Sequence, residues 1–125
     1  IRLSLVGSEM CIRDSVLAFR PEEWLIYVNA DAVLESVLNR LASDGSDIRL
    51  VVCDLSASPY VDLAGSRMLH ELHAKLSARG IAMRIIGAHG WVRDLLRADG
   101  VSEKVGELDR MATLTDCLAA GGRLP

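Results

Sequence analysis

The chain has few aromatic residues, no paired cysteines and no long apolar run, and each shortage excludes a class of protein. Aromatic residues make up 4% of the 125 residues, so a core must be built from aliphatic side chains. Cys11, Cys53 and Cys117 form no C-x-x-C pair, which is typical of a reduced compartment rather than of a disulfide framework. No apolar run approaches the roughly 18–20 residues that cross a bilayer, and polar residues 8 and 9 interrupt any signal-peptide pattern. We therefore expect a soluble, cytoplasmic chain.

The charged residues argue against a polyanion as the partner. The formal net charge is −3, and the lysines and arginines are dispersed rather than clustered. Proteins that bind nucleic acids usually show a concentrated basic patch, so we expect no nucleic-acid partner. Half of the residues are apolar and a quarter are charged, which over this length is typical of one globular domain with its own core.

The first fifteen residues differ from the rest of the chain. Residues 3–14 resemble the translated adapter read found at the ends of environmental shotgun-sequencing frames. We therefore predict that residues 1–15 are a non-native, adapter-derived segment and that the domain comprises residues 16–125. Such a tail is still able to form a strand, and a strand of this kind can pair with an open edge of a sheet.

Apolar periodicity divides the remainder into alternating strands and helices. Short apolar runs predict strands, the first two joined as a hairpin, at residues 16–20, 24–28, 48–53 and 81–86. Amphipathic helices are predicted after the candidate caps Asn29 or Asp31, after Asp62, at residues 90–98 and after Thr113. Residues 101–108 are expected to be irregular, with a small edge strand. The pattern predicts an α/β domain in which a mixed sheet of four or five strands packs with about four helices.

The loop and helix start that follow the central strand are the candidate working surface. The unpaired N–H groups and the dipole at a helix N-terminus favour an anion or a partner's carboxylate. The alternative is that Asp62 only caps its own helix while Pro59 and Tyr60 only turn the chain. Trp24 and Trp91 are expected at the core or its rim, where either can also anchor a partner. The candidate partner-binding or anion-binding residues are Ser58, Pro59, Tyr60, Asp62, Leu63, Ala64, Gly65 and Ser66.

The sequence indicates no catalytic set and no metal site. His70 and His73 have a helical spacing that can bind a metal, but no further ligand is placed beside them, so solvated histidines are the better interpretation. Asp54 ends a strand, as a phosphoacceptor does, but the acidic pair and the lysine of such sites are missing. Cys53 lies within an apolar strand, where a thiol is expected to be buried and unactivated.

Four motifs, in order and correctly spaced, together resemble a STAS domain, the module shared by sulfate permeases and anti-sigma-factor antagonists. They are residues 51–56 at a strand end, Asp62-x-x-Gly65 at a helix start, residues 79–81 before a strand, and residues 92–96 in a helix. Residues 24–30 are similar to the "strand, then Asn-Ala, then helix" entry of the SulP (sulfate permease) branch. The resemblance implies the STAS, or anti-sigma-factor antagonist-like, fold from residue 16 to residue 120.

The SulP resemblance implies a non-catalytic regulatory domain at the cytoplasmic face of an inner-membrane sulfate-class anion transporter. Such a domain would dock a protein partner or the transporter's own transmembrane part, without inserting into the membrane itself, and a homodimer stays open. A free-standing anti-sigma-factor antagonist-like regulator is the first alternative. A nucleotide-binding module or weak hydrolase is the second, because some STAS domains are thought to bind nucleotides; no other cofactor is expected.

The antagonist branch switches through phosphorylation of a Ser or Thr directly after the Asp at the helix start. That position is Leu63 in this chain, so the resemblance implies that the switch is lost. Ser66 is the nearest hydroxyl, but it lies past Gly65, one helical turn from the expected geometry. We therefore predict no phosphorylation in this segment.

Overall fold

A mixed sheet of five strands carries the fold in a computed structural model, which describes residues 2–3, 8–44, 47–106 and 108. The strands, in their order across the sheet, are β1 (Arg2–Leu3), β2 (Ser8–Arg13), β3 (Val16–Pro21), β4 (Leu50–Asp54) and β5 (Ala82–Ile86). The helices are α1 (Ala30–Asp44), α2 (Leu63–Ala78), α3 (Gly90–Ala98) and α4 (Val101–Val105). The predicted α/β class with a mixed sheet is confirmed. Among the described helices, none combines the length and apolarity needed to cross a bilayer.

The adjacent strands β3, β4 and β5 are parallel, and helices make the connections between them. β4 pairs in parallel with β3 and with β5, and α1 and α2 are the crossovers that parallel pairing requires. All four described helices contribute to one core cluster with one face of the sheet, represented by Leu17, Val51 and Ile85. The large side chains of this core are almost all aliphatic, as expected from the scarcity of aromatic residues, and Phe19 is its one aromatic member among the described residues.

The predicted hairpin of residues 16–20 and 24–28 is wrong in its second half. The segment 24–28 contributes only an isolated parallel bridge, from Leu25 to Val61. Asn29 closes the turn that follows, because its Oδ1 accepts from the Ile26 N–H at 3.0 Å and its Nδ2 donates to the Trp24 carbonyl at 2.7 Å. Both edges of β3 are already paired, one with β2 and one with β4, so no strand site was left for this segment.

The N-terminal segment supplies the antiparallel neighbour of β3. β2 pairs with β3 along all six residues, from Ser8 opposite Pro21 to Arg13 opposite Val16. The two-residue turn contains Asp14 at φ 55°, a left-handed conformation that Asp tolerates better than most residues. Met10 of this strand is 4% exposed and joins the core. Its non-native origin stays a prediction, whereas its pairing as a strand is integral to the sheet.

Helix α2 begins and ends close to the predicted positions. Asp62 caps it, since its Oδ1 accepts from the Gly65 N–H at 2.8 Å, which confirms the predicted cap. The Ile81 N–H donates to the Leu76 carbonyl beyond the last turn, as in a Schellman ending. One apolar stripe of the helix is buried against the sheet and comprises Met68, Leu69, Leu72 and Leu76.

The region after α3 differs from the prediction. Residues 101–105 form helix α4 rather than an irregular stretch or an edge strand. Gly100 at φ 82° lets the chain turn sharply after α3 and start a new helical turn, and Val101 and Val105 bury themselves one turn apart. The helix predicted after Thr113 lies outside the described residues, as does Cys117.

We expect Gly65→Ala to lower the free energy of unfolding by about 1–3 kcal/mol, the usual cost of forcing an extra methyl into a filled site. A Cβ there would lie 2.4 Å from the Leu25 carbonyl oxygen and 2.9 Å from Val61 Cγ1. Urea unfolding measures the change.

Gly90→Ala is the matched control for that substitution. Its Cβ would have Arg93 Nη2 at 3.8 Å as its nearest neighbour, so the variant should be as stable as the parent or slightly more stable. Equal stability of the two variants would contradict the close approach of α2 to Leu25.

Candidate functional site

The loops that leave the carboxyl ends of β3, β4 and β5 meet at one edge of the sheet. Because the three strands are parallel, the segments 22–29, 55–62 and 87–89 all begin there. Ligands of parallel α/β sheets usually bind at this edge. The candidate residues of the sequence lie in the middle segment and in the first turn of α2 that follows it, so the structure places them at the edge where binding is expected.

Hydrogen bonds within the loop and to its two neighbours hold the middle loop in place. The Leu55 N–H donates to the Ile86 carbonyl at 2.9 Å, and Asp54 Oδ1 accepts from the Ser56 N–H at 2.9 Å. The Ser58 hydroxyl donates to the Glu23 carbonyl at 2.7 Å and has no exposed surface. The loop is therefore fixed from inside, and Asp54 organises backbone rather than facing a substrate.

Asp62 uses both of its carboxylate oxygens within the domain. Oδ1 caps α2, and Oδ2 accepts from the Tyr27 N–H at 3.0 Å. The Leu25 N–H donates to the Tyr60 carbonyl at 3.1 Å, and the Leu25 carbonyl accepts from the Asp62 N–H at 3.3 Å. The negative charge that a helix N-terminus favours is thus already supplied by the Asp62 carboxylate. That carboxylate would repel an added anion at the same helix end.

The eight candidate residues divide into a buried set and an exposed set. Ser58, Gly65 and Ser66 are buried and shape the loop from beneath. Asp62 and Ala64 are half-buried. The residues presented to solvent are Pro59, Tyr60 at 39% and Leu63 at 53% exposure. The exposed part of the predicted surface is therefore apolar rather than anion-binding.

The neighbourhood of Ser66 has the residue types of a hydrolase triad without its geometry. The Ser66 hydroxyl donates to Asp99 Oδ2 at 2.5 Å, and His70 Nε2 lies 2.8 Å from the Asp99 carbonyl oxygen and 3.3 Å from Oδ2. An imidazole must accept the serine proton to activate it, and here the serine faces the carboxylate instead. Ser66 is also fully buried, so the contact ties α2 to the turn before α4.

The other sequence candidates are engaged in local contacts. His73 Nε2 lies 3.4 Å from the Ser77 hydroxyl, so the two histidines of α2 point to different partners. No group of three or more His, Cys, Asp or Glu residues gathers within the described ranges. Burial raises the pKa of the Cys53 thiol well above its ordinary value, and the charge of Asp54 raises that pKa further. A thiol in this state is a poor nucleophile.

Three exposed aromatic rings, here called the aromatic cluster, stand beside the loop. The ring centroid of Tyr60 lies 5.3 Å from that of Trp24 and 4.9 Å from that of Trp91. Trp24 is 54% and Trp91 46% exposed, so neither packs in the core. The Trp91 Nε1–H donates to the Pro59 carbonyl at 3.0 Å, which fixes α3 to the loop. Each ring follows the carboxyl end of a different parallel strand, and this spacing is the signal by which the sequence could have indicated the cluster.

One family model matches most of the chain. The family model described as STAS domain matches residues 8–115. No curated protein sequence matches the chain. The solved STAS domain of a SulP transporter from Vibrio cholerae has 22% identity and a TM-score of 0.67, over 88% of this chain and 83% of that one.

Two further solved structures resemble the chain in fold. A putative anti-sigma factor antagonist from Thermotoga maritima has 16% identity and a TM-score of 0.79, over 92% of this chain and 94% of that one. The murine Solute Carrier 26 family member A9 anion transporter has 20% identity and a TM-score of 0.75, over 89% of this chain. The chain spans 18% of the length of that transporter. At these identities the likeness shows the fold alone.

We expect Asp62→Ala to destabilise the domain by about 2 kcal/mol, since it removes a helix cap and a second backbone acceptor. Asp62→Asn should cost less, because its amide oxygen can still cap Gly65 while its NH₂ group cannot accept from Tyr27. Urea unfolding checks both. Asp94→Ala, an exposed Asp on α3, is the control and should change stability by less than about 0.5 kcal/mol.

We expect Cys53 to be protected from a thiol reagent at pH 8 in a variant that carries Cys11→Ser and Cys117→Ser. Cys53 should react at least about a hundred-fold more slowly in the folded variant than in the same variant unfolded in urea, because labelling needs the core strand to open. The raised pKa of Cys53 also lowers the thiolate fraction of the folded chain, which slows its labelling further. Fast labelling of the folded variant would contradict a buried, unactivated Cys53.

Proposed function

Because the chain belongs to the STAS domain family, we propose that it is a non-catalytic docking domain that regulates a SulP-type anion transporter from the cytoplasmic side. Its contact surface is the exposed edge formed by Pro59, Tyr60 and Leu63, here called the docking face. The partner is another protein or the transporter's own transmembrane part.

The exposure of Leu63 is the observation that carries this proposal. An apolar side chain at the first position of α2 is 53% exposed although the core beneath it is closed. Burying a Leu side chain in an interface contributes about 1.5–3 kcal/mol, so a partner that covers Leu63 gains that stabilisation. The position directly after the cap is also where the antagonist branch carries its phosphorylated hydroxyl. A docking face with Leu63 is permanently apolar and cannot be switched in that way.

The polar groups around the docking face support binding rather than catalysis. Asp54 and Asp62 are both committed to backbone N–H groups, and the Ser66 hydroxyl is buried against Asp99. A nucleotide phosphate at the start of α2 would meet the Asp62 carboxylate, so the nucleotide-binding alternative gains no support here.

A free-standing regulator of the anti-sigma-factor antagonist type is the second candidate. The Thermotoga maritima protein supports it, because the chain covers 94% of a protein that is itself about one domain long. The two candidates differ in what the gene encodes before this domain. Membrane-spanning segments in the same reading frame favour the transporter, and a neighbouring kinase gene favours the antagonist.

We expect Leu63→Asp in the full-length parent transporter to reduce sulfate uptake several-fold in a strain that lacks other sulfate permeases. An Asp near a helix N-terminus favours the helix, so the loss would come from docking rather than from unfolding. Removing an interface Leu weakens docking about ten-fold or more. Uptake of labelled sulfate and the amount of transporter in the membrane are measured together.

Ala74→Asp places the same charge on an exposed position in the middle of α2 and serves as the control. Its uptake should equal that of the parent. Unchanged uptake in Leu63→Asp would refute the docking face, and a parent gene without membrane spans would refute the transporter assignment.

A further inference from the structure

The chain places most of its few aromatic residues in solvent at one edge of the sheet. Of its five aromatic residues, Phe19 alone is in the core, and the others are the aromatic cluster and Tyr27, which is 75% exposed. Aromatic residues are enriched at interfaces because they bury a large area at a small entropic cost. The distribution therefore indicates a recognition surface that is wider than the docking face.

An acidic groove adjoins the aromatic cluster. It has a volume of about 480 Å³, within the range of roughly 300–1,000 Å³ that is usual for ligand sites. Trp24 belongs to both the groove and the aromatic cluster. Besides Asn29 and Ala57, the lining has two carboxylates and four larger apolar side chains: Glu22, Glu23, Trp24, Ile26, Val28 and Pro59. Among the described residues that line the groove, none is cationic.

The two carboxylates of the groove differ in their partners. Glu22 Oε1 lies 3.3 Å from Arg20 Nη2, so its charge is partly neutralised by an ion pair. Glu23 is exposed, and within the described part of the chain its carboxylate forms no ion pair or hydrogen bond. Its backbone carbonyl is nevertheless held by the Ser58 hydroxyl, so the residue stands at a fixed place. Glu23 is therefore an exposed negative charge on a fixed backbone, and it lines the same groove as Trp24.

We propose that the acidic groove and the aromatic cluster bind an extended partner segment through an arginine or lysine side chain. The aliphatic stem of that side chain packs against Ile26 and Val28, and its charged head lies between Glu23 and the ring of Trp24. Long basic side chains have this division between an apolar stem and a charged head. A cation is attracted both by a carboxylate and by an aromatic face, with tryptophan the strongest of the rings.

The rigidity of the aromatic cluster favours this mode of binding. The rings of Trp24, Tyr60 and Trp91 pack on one another, and Trp91 and Tyr60 are also fixed through backbone partners in the loop. A surface that is already ordered loses little entropy when a ligand binds. A second copy of this chain is a weaker fit, because its net charge of −3 opposes docking onto an acidic groove.

This inference rests on the proposed docking function and names the chemistry of the partner. The test titrates the intact 125-residue chain with the hexapeptide acetyl-Leu-Arg-Pro-Leu-Arg-Pro-amide while tryptophan fluorescence is recorded. Both tryptophans of the chain belong to the aromatic cluster, so the signal reports on this surface alone. Matched peptides carry glutamine or glutamate in place of both arginines.

The arginine peptide should bind at least about ten-fold more tightly than the glutamine peptide, with the glutamate peptide weaker still, and added salt should reduce the difference. Glu23→Gln should remove most of the preference for arginine, and Trp24→Ala should weaken binding of every peptide. Glu103→Gln, which changes the same charge at an exposed position of α4, should bind like the parent. Urea unfolding verifies that each variant is folded.

Equal binding of the arginine and glutamine peptides would overturn the inference and leave the docking function intact. A preference that survives Glu23→Gln, or a lack of any response to the arginine peptide, would also overturn it. A concentration-dependent dimer that disappears in Trp24→Ala, measured by sedimentation, would assign the surface to a second copy instead. Failure of the docking function itself is seen separately, as unchanged sulfate uptake by the Leu63→Asp transporter, an assay that uses no peptide.

Discussion

The surface at the carboxyl edge of the sheet depends on the attachment of Leu25 to the loop before α2. Its N–H and carbonyl groups both bond to that loop, and the carboxylate of Asp62 reaches across to the next turn of the same segment. Gly65 permits the approach, because any side chain there would meet the Leu25 carbonyl. Trp24 and Tyr27 lie one and two positions from Leu25, so the anchoring of this buried residue also fixes these two exposed residues. The apolar surface is thus held by backbone contacts beneath it.

Most polar groups of this edge serve the scaffold, and this division supports the proposed role in recognition. The carboxylates of Asp54 and Asp62 are committed to backbone N–H groups, and the hydroxyl groups of Ser58 and Ser66 are buried with partners of their own. The charge of Glu23 and the aromatic and aliphatic side chains are left for a partner. A catalytic site needs an available base or nucleophile, whereas an interface needs apolar area with a few directing charges.

The sequence predicted those parts of the fold that are determined locally. Helix α2 could be bounded because its cap Asp62 and its ending at Gly80 are local signals, and its stripe of Leu and Met has a clear helical period. The segment 24–28 was misread because its apolar residues favour a strand, while the pairing partners of β3 are distant in sequence. Residues 101–105 were misread because five residues are too few to show a period.

The sequence predicted where the candidate residues lie in the fold, but not which of them are exposed. The loop after β4 was located from its place in the pattern, whereas burial of Ser58, Gly65 and Ser66 depends on contacts with residues distant in the sequence, such as Leu25 and Asp99. The aromatic cluster joins residues 24, 60 and 91, and only the parallel order of the strands brings them together.

The pairing of β2 with β3 places few requirements on the sequence of β2. The hairpin of β2, the turn and β3 comprises fourteen residues, 8–21, and its strands pair through main-chain groups. Among the described side chains of β2, the buried core residue is Met10. A peptide of unrelated sequence and suitable length can therefore form β2 in place of the natural one. A well-formed strand at this position is accordingly no evidence that its residues belong to the natural protein.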